Sequence, residues 1–464
     1  MIAYEPQDIA RIVSGEVRNG SSGPVTGVCI DSRRAAKGDL FVAVTTQTND
    51  GHRYVPAAFA NGARAAFVSR KQAEAHLRDW DIFTVITVDD PVAALQRWAQ
   101  AYRRRFSIPV VAVTGSNGKT TTKDFIAAAL GNLGPVLKTE GTLNNHLGVP
   151  LTLLDITEEH RAAVVELGMN HAGEIRMLGQ ITEAQMGVIT NAGQAHLEFF
   201  PSLDALIDAK WELADTLVDG KTLVLNRDDS GLLVRGQRYG HAVRWFGVES
   251  ECEWHPVETR QGADGCWRFR VRGVRVNLRI PGRHMIDNAL AALAVADALG
   301  VPLALAAEGI GTTEPAERRM RSLWLNGILM LDDTYNANPS SMRAALTTLM
   351  ALAPGGDGRR IAVLGGMHEL GKQSEELHRE VGAFAAAQGV FVLTVGERGR
   401  AIAEEARLVD SSSVVQMSAH EEASAWLREN LREGDVVLVK GSRGERMERV
   451  IEALTARLGE AVPK

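Results

Sequence analysis

Residues 110–130 read VVAVTGSNGKTTTKDFIAAAL, an apolar run followed by a turn of small polar residues and an amphipathic segment. The run VVAV has the length of a buried parallel strand, and the segment after the turn has helical spacing. Four apolar side chains would share one helix face, those of Phe125, Ile126, Ala129 and Leu130. A turn between a strand and a helix points backbone N–H groups at an anion, and the helix dipole favours negative charge there. The stretch therefore predicts a phosphate-binding loop.

The residue types within the turn fit that role. Gly115 and Gly118 allow the backbone to approach a phosphate closely. Lys119 would reach the β- and γ-phosphates, and the Thr120 hydroxyl a magnesium ion. The match to GxxxxGK[ST] is imperfect, because Val113 stands where the first glycine would fall. A glycine-rich turn with a solvated lysine is the alternative, but the flanking strand and helix favour ATP or GTP binding, and leave a kinase, a motor and a GTPase open.

Length, charge and cysteine content exclude several classes of protein. With 464 residues the chain has room for about three domains. Its net charge of -6 argues against nucleic-acid binding, and the basic cluster at 103–105 is expected to be the solvated end of a helix. Three cysteines without CxxC spacing support neither disulfides nor a zinc site. The absence of a long apolar run and of a secretory pattern predicts a cytoplasmic protein with no membrane span.

Alternating strand-like and helix-like segments predict an α/β protein of three domains. We expect an N-terminal domain at 1–84, a central parallel-sheet ATPase domain at 85–314 that carries the phosphate loop, and a C-terminal domain at 315–464. Residues past 250 alternate in polarity and predict antiparallel strands, and 312–319 is the best linker candidate. The last part repeats strand, glycine-rich turn and helix, which is typical of a doubly wound, Rossmann-like sheet.

Three polar residues of the central part could narrow the chemistry. Glu166 ends a buried strand and could hold Mg²⁺ or water, although capping the next turn explains it equally well. His196 follows another strand in a polar loop, where a lone histidine is usually structural. Lys210 falls on the apolar face of a helix at 203–217. It would either extend to water or pair, or stay buried and neutral and react with CO₂ to give an anionic carbamate that binds metal.

Two junctions between strand and helix in the last domain also carry polar residues. One junction contains Lys440, Ser442 and Arg443. A second group lies between another strand and a helix expected to begin at Pro339: Asp332, Asp333, Tyr335, Asn336 and Asn338. Both groups could face a nucleotide from a neighbouring domain, and ordinary turn chemistry is the alternative.

Taken together, these segments resemble the ATP-dependent Mur ligases of peptidoglycan synthesis over nearly the whole chain. The motifs appear in the family order: DSR at 31–33, DGH at 50–52, TGSNGKTT at 114–121, TLNNHLGVP from 142, ELGMNHAGEI from 166, TNAGQAHLE from 190, AK at 209–210, GRHMIDNALAA from 282, DDTYNANPSS from 332, LGGMHELG from 364 and KGSRG from 440. YNANP and ELGMN point to the member that joins D-alanyl-D-alanine to a UDP-MurNAc-tripeptide. That reaction proceeds through an acyl phosphate and releases ADP and phosphate.

The resemblance also implies roles for individual residues, with Lys119, His196 and Lys210 as the catalytic groups. ATP contacts would come from Gly115, Ser116, Asn117, Gly118, Lys119, Thr120, Thr121, Asn288, Arg319 and Asp333. A first Mg²⁺ ion would bind Thr120 and Glu166, and a second Glu166, His196 and a carbamylated Lys210. The two substrates would contact Asp31, Ser32, Arg33, Thr142, Asn144, Asn145, Asn336, Lys440 and Ser442. The resemblance implies small-molecule partners, and we expect a monomer.

Some positions depart from the family pattern. Met285 stands at a common asparagine, Gly366 at an aspartate, and Arg318 at the glycine of the linker. None of these changes removes a residue assigned to phosphate or metal, but they leave the fine substrate contacts open.

Two alternatives share the mechanism: a Mur ligase that adds a single amino acid, and a ligase similar to folylpolyglutamate synthase. A nucleotide-dependent switch or motor is disfavoured because a GTPase should carry a base-reading NKxD, which the sequence lacks. A degenerate family member kept as a binding partner is disfavoured by the intact Lys119, Glu166, His196 and Lys210.

Overall fold

Twisted sheets of short apolar strands, covered by helices, form the framework of the protein. The computed structural model describes residues 1–19, 23–76, 78–193, 197–218 and 221–458. In these residues the strands form sheets of five, six, three and six strands, in that order along the chain. The expected α/β fold class is confirmed. None of the helices within the described ranges has the length and apolar character to cross a bilayer.

The first sheet has the order β1-β5-β4-β3-β2, with β1 antiparallel to β5 and the other neighbours parallel. Single turns of 3₁₀ helix occur at Ser32–Arg34 and Gly51–Tyr54. The elements are α1 Pro6–Val13, β1 Glu16–Arg18, β2 Gly27–Cys29, β3 Asp39–Val42, α2 Val55–Ala60, β4 Ala65–Ser69, α3 Arg70–Ala75, β5 Val85–Val88 and α4 Pro91–Arg103.

The second sheet has the order β11-β10-β9-β6-β8-β7, and all its strand pairs are parallel. Its strands are almost continuous apolar runs because helices cover both faces. Its elements are β6 Val110–Thr114, α5 Lys119–Leu130, β7 Val136–Lys138, α6 Gly148–Leu154, β8 Ala162–Glu166, α7 Glu174–Thr182, β9 Met186–Ile189, α8 Leu203–Thr216, β10 Thr222–Asn226, α9 Ser230–Gly236 and β11 Val243–Phe246. The predicted strand, loop and helix around the quoted stretch are β6, residues 115–118 and α5. All four predicted apolar side chains of α5 are fully buried.

A small antiparallel sheet and two helices complete the central part. The sheet consists of β12 Val257–Gln261, β13 Cys266–Val271 and β14 Val274–Pro281, as the alternating pattern predicts. The helices are α10 Met285–Ala298 and α11 Leu303–Gly311. Helix α10 is buried along nearly its whole length and packs on α5, so a closed apolar surface supports the phosphate loop from behind.

The last sheet has the order β15-β16-β20-β17-β18-β19, with only the edge strand β15 antiparallel. Its elements are β15 Arg321–Leu325, β16 Ile328–Asp333, α12 Pro339–Ala351, β17 Arg360–Leu364, α13 Ser374–Ala387, β18 Phe391–Val395, α14 Arg400–Val409, β19 Val414–Met417, α15 His420–Asn430, β20 Val436–Lys440 and α16 Glu448–Leu458. The doubly wound pattern and the start of α12 at Pro339 agree with the sequence. Strands β15 and β19 were not predicted.

Three local expectations were wrong. Asp332 and Asp333 are the last residues of β16 rather than part of the turn that follows it. Leu203, placed on the inner face of α8, is 43% exposed because it is the first residue of that helix. The basic cluster at 103–105 is not uniformly solvated. Arg103 is buried, and its guanidinium donates to Phe106 O at 2.7 Å and to Ile108 O at 3.4 Å.

Arg103 holds the segment between α4 and β6 through hydrogen bonds to two of its backbone carbonyls. This role can be tested by substitution. Replacing Arg103 by Ala leaves the Phe106 and Ile108 carbonyls without their donor, so we expect the free energy of unfolding to fall by about 2 kcal/mol. Arg104→Ala is the matched control, because Arg104 is exposed and loses only a surface ion pair with Glu183, worth less than about 1 kcal/mol. Urea unfolding of both variants measures the difference, and equal losses would contradict this role of Arg103.

Candidate active site

A cavity of 810 Å³ lies between the phosphate loop and the carboxyl ends of strands in the last sheet. In doubly wound sheets, ligands bind at such strand ends. Most of the predicted site residues line it: Ser116, Asn117, Gly118, Lys119, Thr120, Thr121, Asn144, Asn145, Glu166, Asn288, Arg319, Asp333, Asn336 and Lys440. The residues come from seven separate stretches of the chain, so the fold assembles the site.

A second cavity of 950 Å³ adjoins the first, and Thr120, Arg319 and Tyr335 line both. Predicted residue Thr142 lines this second cavity, together with the linker at 312–319. Within the described chain, the remaining predicted residues line neither cavity: Asp31, Ser32, Arg33, Gly115, Lys210 and Ser442. The predicted ligand His196 lies outside the described residues.

The DSR segment forms a local turn in the N-terminal part. Asp31 caps the 3₁₀ turn that follows it and pairs with Arg33 through two hydrogen bonds of 2.9 and 2.7 Å. These bonds hold the pKa of the Asp31 carboxyl down at about 2. The carboxylate and guanidinium therefore stay charged over the physiological range and would present a fixed polar edge to a ligand.

Left-handed glycines shape the phosphate loop. Gly118 is the N-cap of α5 with φ of 79°, and a Cβ there would lie 2.5 Å from Asn288 Oδ1. Gly115 has φ of 147°, and a Cβ there would lie 1.9 Å from Thr190 Oγ1. Only glycine fits either position without displacing its neighbour. The loop backbone therefore packs closely against Thr190, which follows β9, and against Asn288 of α10.

The residues after β9 hold the loop from one side. Thr190 Oγ1 donates to Asn117 O at 2.6 Å, and Asn117 N donates to Asn191 Oδ1 at 2.9 Å. Ser116 Oγ donates to Gly193 O at 2.7 Å. The loop is thus preorganised before any anion binds. The TNAG part of the TNAGQAHLE motif accordingly has a structural role that the sequence did not reveal.

Lys119 folds back over the loop at the start of α5. Its ammonium donates to Gly115 O at 2.8 Å and to Ser116 O at 3.3 Å. Burial lowers its pKa, and the nearby Glu166 carboxylate partly opposes that shift. Because carbonyl groups satisfy the ammonium only in part, an anionic phosphate beside it would stabilise the charge further.

Glu166 and Thr120 form an oxygen-rich pair at the floor of the cavity. Thr120 Oγ1 donates to Glu166 Oε2 at 2.8 Å, and Asn144 Nδ2 donates to Oε1 at 2.9 Å. Glu166 is 2% exposed, so water screens its charge only weakly from groups bound nearby. A hydroxyl and a carboxylate suit Mg²⁺, which takes few protein ligands and keeps phosphate and water as the others. No cluster of three His, Cys, Asp or Glu side chains with metal-binding geometry occurs in the part of the chain that the structure describes.

Lys210 is buried on α8, with 1% of its surface exposed, as its helical phase predicts. The alternative that its side chain extends to water is wrong. No carboxylate of the described chain contributes to its pKa shift. Burial lowers the pKa of its amine well below the ordinary value, and the positive charge of Lys119 lowers it further. The neutral amine is the nucleophilic form, so the environment favours the state that carbamate formation requires.

The C-terminal part touches the phosphate loop directly. Asn117 Nδ2 donates to Ser340 Oγ at 2.7 Å, and Asn338 Nδ2 donates to Asn117 Oδ1 at 2.8 Å. Asn338 is also the N-cap of α12, in a capping box with Ser341. The tip of the loop is therefore bonded to the first turn of a helix from the last sheet. The sequence predicts Asn338 near a nucleotide but gives no sign of this contact.

Two predicted residues of the last sheet pair with each other. Lys440 Nζ lies 2.6 Å from Asp333 Oδ2 and donates to Asn336 O at 2.8 Å. Lys440 is 2% exposed, so its charge is compensated within the protein. The Arg319 guanidinium lies over the Tyr335 ring at 3.9 Å from its centroid and reaches both cavities.

The departures from the family pattern have local explanations. Arg318 has φ of 60°, a conformation that suits glycine, and its ion pair with Glu448 at 2.9 Å offsets the strain. A Cβ at Gly366 would lie 2.3 Å from Arg398 Cβ, so this chain has no room for an aspartate there. Met285 Sδ accepts weakly from Asn288 Nδ2 at 3.6 Å, which orients the amide predicted to contact adenine.

Comparison with known families matches this architecture. The Mur ligase family catalytic domain matches residues 24–103, the Mur ligase middle domain 113–296, and the Mur ligase glutamate ligase domain 318–443. The matches together cover most of the chain. The protein belongs to the Mur ligase family, as the sequence motifs predicted.

Individual relatives show which members of the family this chain is similar to. The UDP-N-acetylmuramoyl-tripeptide--D-alanyl-D-alanine ligase of Escherichia coli K12 is 35% identical, over 98% of this chain and 99% of its own. The Bacillus subtilis 168 enzyme of the same name is 33% identical over 98% and 99%. A crystal structure of MurF from Acinetobacter baumannii superposes with a TM-score of 0.88 at 29% identity, covering 98% and 100%. The structure of Thermotoga maritima MurF in complex with ADP superposes with a TM-score of 0.82 at 29% sequence identity. The match covers 94% of this chain and 98% of that one.

The close approach of Gly118 to Asn288 gives a test of the loop. We expect Gly118→Ala to weaken nucleotide binding by about tenfold or more, because the new methyl group displaces Asn288 or the loop backbone, a cost above about 1.4 kcal/mol. Titration with a fluorescent ADP analogue measures the affinity.

Gly173→Ala is the matched control. Gly173 is likewise a left-handed N-cap, of α7, with φ of 89°, but a Cβ added there would meet no neighbouring atom within 4 Å. It therefore carries the backbone strain without the clash. An equal loss of affinity in both variants would mean that strain, rather than contact with Asn288, weakens binding.

Proposed function

We propose that the protein is an ATP-dependent peptide ligase that joins D-alanyl-D-alanine to a UDP-MurNAc-tripeptide in the synthesis of peptidoglycan precursors. One observation carries the proposal: a single cavity combines a phosphate loop, a buried carboxylate with a hydroxyl, and strand ends of the last sheet. The names of its full-length relatives and the bound ADP of the Thermotoga maritima enzyme support it. A Mur ligase that adds a single amino acid has no specific observation in its favour.

The reaction needs an activated carboxylate, because a free carboxylate is a poor acyl donor. The terminal carboxylate of the tripeptide takes the γ-phosphoryl group of ATP and becomes an acyl phosphate, and ADP leaves. The amine of the dipeptide then displaces phosphate and forms the peptide bond. The site's task is to hold two anions together and to stabilise the charge that accumulates between them.

The residues divide that task between them. Lys119 and the loop N–H groups bind the β- and γ-phosphates, and Asn288, Arg319 and Asp333 hold the rest of the nucleotide. Thr120 and Glu166 would hold Mg²⁺, which when bound would neutralise phosphate charge. The substrate contacts then fall to the set predicted from the motifs: Asp31, Ser32, Arg33, Thr142, Asn144, Asn145, Asn336, Lys440 and Ser442.

Lys210 supplies a further negative charge in this proposal. Its buried amine, shifted toward the neutral form, would react with CO₂, and the carbamate would offer anionic oxygens to a second Mg²⁺, together with Glu166 and His196. The lowered pKa and the absence of an ion pair with any described carboxylate support that state. We further propose that the protein acts as a cytoplasmic monomer on small-molecule substrates.

The choice of substrates can be tested directly. We expect ATP-dependent phosphate release to require both UDP-MurNAc-tripeptide and D-alanyl-D-alanine, and to stop when EDTA removes Mg²⁺. Coupled measurement of phosphate with each acceptor, including single amino acids, decides the matter. A larger response to D-alanine or L-lysine than to the dipeptide would overturn this assignment and favour another ligase of the family.

The carbamate can be tested by a pair of substitutions. Lys210→Ala should lower ligation by at least about 100-fold, because the site loses an anionic group in a water-poor setting. Acetate or formate should restore part of the activity by entering the space left behind. Lys210→Met fills that space and should stay inactive with either acid. Rescue of both variants, or of neither, would speak against a carboxylate-like role at this position.

A further inference from the structure

We infer that His368, held by Glu445, is the base that takes a proton from the ammonium group of the incoming dipeptide. The inference rests on the proposed ligase function and adds a catalytic residue to it. The motif LGGMHELG contains this histidine, but the sequence alone assigns it no role. Both His368 and its neighbour Glu369 line the 810 Å³ cavity, on the side formed by the last sheet.

The position of His368 follows from the sheet. It comes soon after the carboxyl end of β17, and β20 is the neighbour of that strand. Its backbone N–H donates to Ser442 Oγ at 2.9 Å, and Ser442 Oγ donates to Ala337 O at 3.0 Å. His368 is thereby tied to the loops after β20 and β16. The end of β20 and the loop after β16 carry Lys440 and Asn336, which line the cavity with His368.

The imidazole is oriented by a carboxylate. His368 Nε2 lies in close hydrogen-bonding contact with Glu445 Oε1. Glu445 has 14% of its side chain exposed and His368 has 32%, so the carboxylate is the inner member of the pair. With Nε2–H donating to the carboxylate, Nδ1 carries the lone pair, and no described residue forms a hydrogen bond with Nδ1. This arrangement of carboxylate and imidazole is the one that general bases use.

Other charged groups surround the pair. Arg398 lies 3.6 Å from Glu445 Oε1 and shares that carboxylate. Burial of His378 on α13 lowers its pKa. The charge of Glu445 opposes this shift, whereas the charges of Arg398 and His368 add to it. Lys440 and Glu369 share the cavity with His368. Around the imidazole, the carboxylates of Glu369 and Glu445 are thus set against the cations of Arg398 and Lys440.

The ligation step requires such a base. The α-amino group of a peptide has a pKa of about 7.7 to 8.0, so near neutral pH most of the dipeptide is an ammonium ion that cannot attack. One N–H bond breaks and its proton moves to His368 Nδ1. The nitrogen lone pair then forms the C–N bond at the acyl carbonyl, and the C–O bond to phosphate breaks. The second amine proton leaves with the phosphate, and His368 returns its proton to solvent.

The test separates the two halves of the reaction. Hydroxylamine is mostly unprotonated at neutral pH, so it traps the acyl phosphate as a hydroxamate without needing a base. In the full-length enzyme with ATP, Mg²⁺ and UDP-MurNAc-tripeptide, His368→Gln should lower kcat for the dipeptide by about tenfold at pH 7, because only about a tenth of the dipeptide is then a free amine. Hydroxamate formation should be unchanged. The deficit should shrink as the pH rises above about 8, where the free amine is already present.

Two further variants complete the experiment. Glu445→Gln should give a smaller loss of kcat for dipeptide ligation and leave hydroxamate formation unchanged, because the imidazole loses the carboxylate that orients it. His420→Gln is the matched control. His420 Nε2 lies 2.7 Å from Glu445 O, but His420 lines neither cavity, so both reactions should proceed at the rate of the unsubstituted enzyme.

Several outcomes would overturn the inference. An equal loss of hydroxamate formation in His368→Gln would show a structural role. Dipeptide ligation by that variant at the full rate would place the base elsewhere. If the variant does not fold, Glu445→Gln alone decides, since an equal loss of dipeptide ligation and hydroxamate formation there contradicts the pairing. Failure of the unsubstituted enzyme to use the dipeptide, with hydroxamate still formed, would instead refute the proposed acceptor.

Discussion

The burial of lysine side chains in and beside one cavity is the constraint on which this site depends. A bare ammonium in a water-poor setting is costly, and the protein meets that cost differently at each of three lysines. Lys119 binds loop carbonyls, Lys440 pairs with Asp333, and burial lowers the pKa of Lys210, which shifts that group toward the neutral amine. Only the charge of Lys440 is balanced by a carboxylate at hydrogen-bonding distance. The positive charge of Lys119 therefore has no carboxylate at hydrogen-bonding distance, and a bound triphosphate would compensate it.

Much of this arrangement can be read from the sequence because it depends on local rules. A buried strand, a turn containing Gly115 and Gly118, and a helix with one apolar face can fold in few ways, and the inward phase of Lys210 follows from the same helical period. The carboxylate of Glu166 ends its strand at the edge where the loop opens, since parallel neighbours end together. The assigned roles of these residues remain predictions.

Other features could not be predicted because they depend on contacts between distant parts of the chain. Asn117 and Asn338 are 221 positions apart, and nothing in either segment indicates the other. Arg103 is buried by the turn after α4, whereas composition alone makes three adjacent arginines look solvated. Strands β15 and β19 lie at the edges of their sheet, where a short strand carries little apolar signal. His368 acquires its partner Glu445 only when the loops after β17 and β20 meet.

The bond between the phosphate loop and the first turn of α12 has a thermodynamic consequence. Asn117 contributes its backbone to the loop and its side chain to Asn338 and Ser340, so one residue takes part in both anion binding and the docking of the last sheet. Two events that share a residue are linked, and linkage is reciprocal. If a bound nucleotide strengthens the docking of the last sheet by some factor, docking must strengthen nucleotide binding by the same factor. The last sheet is then an effector of the loop as much as a wall of its cavity.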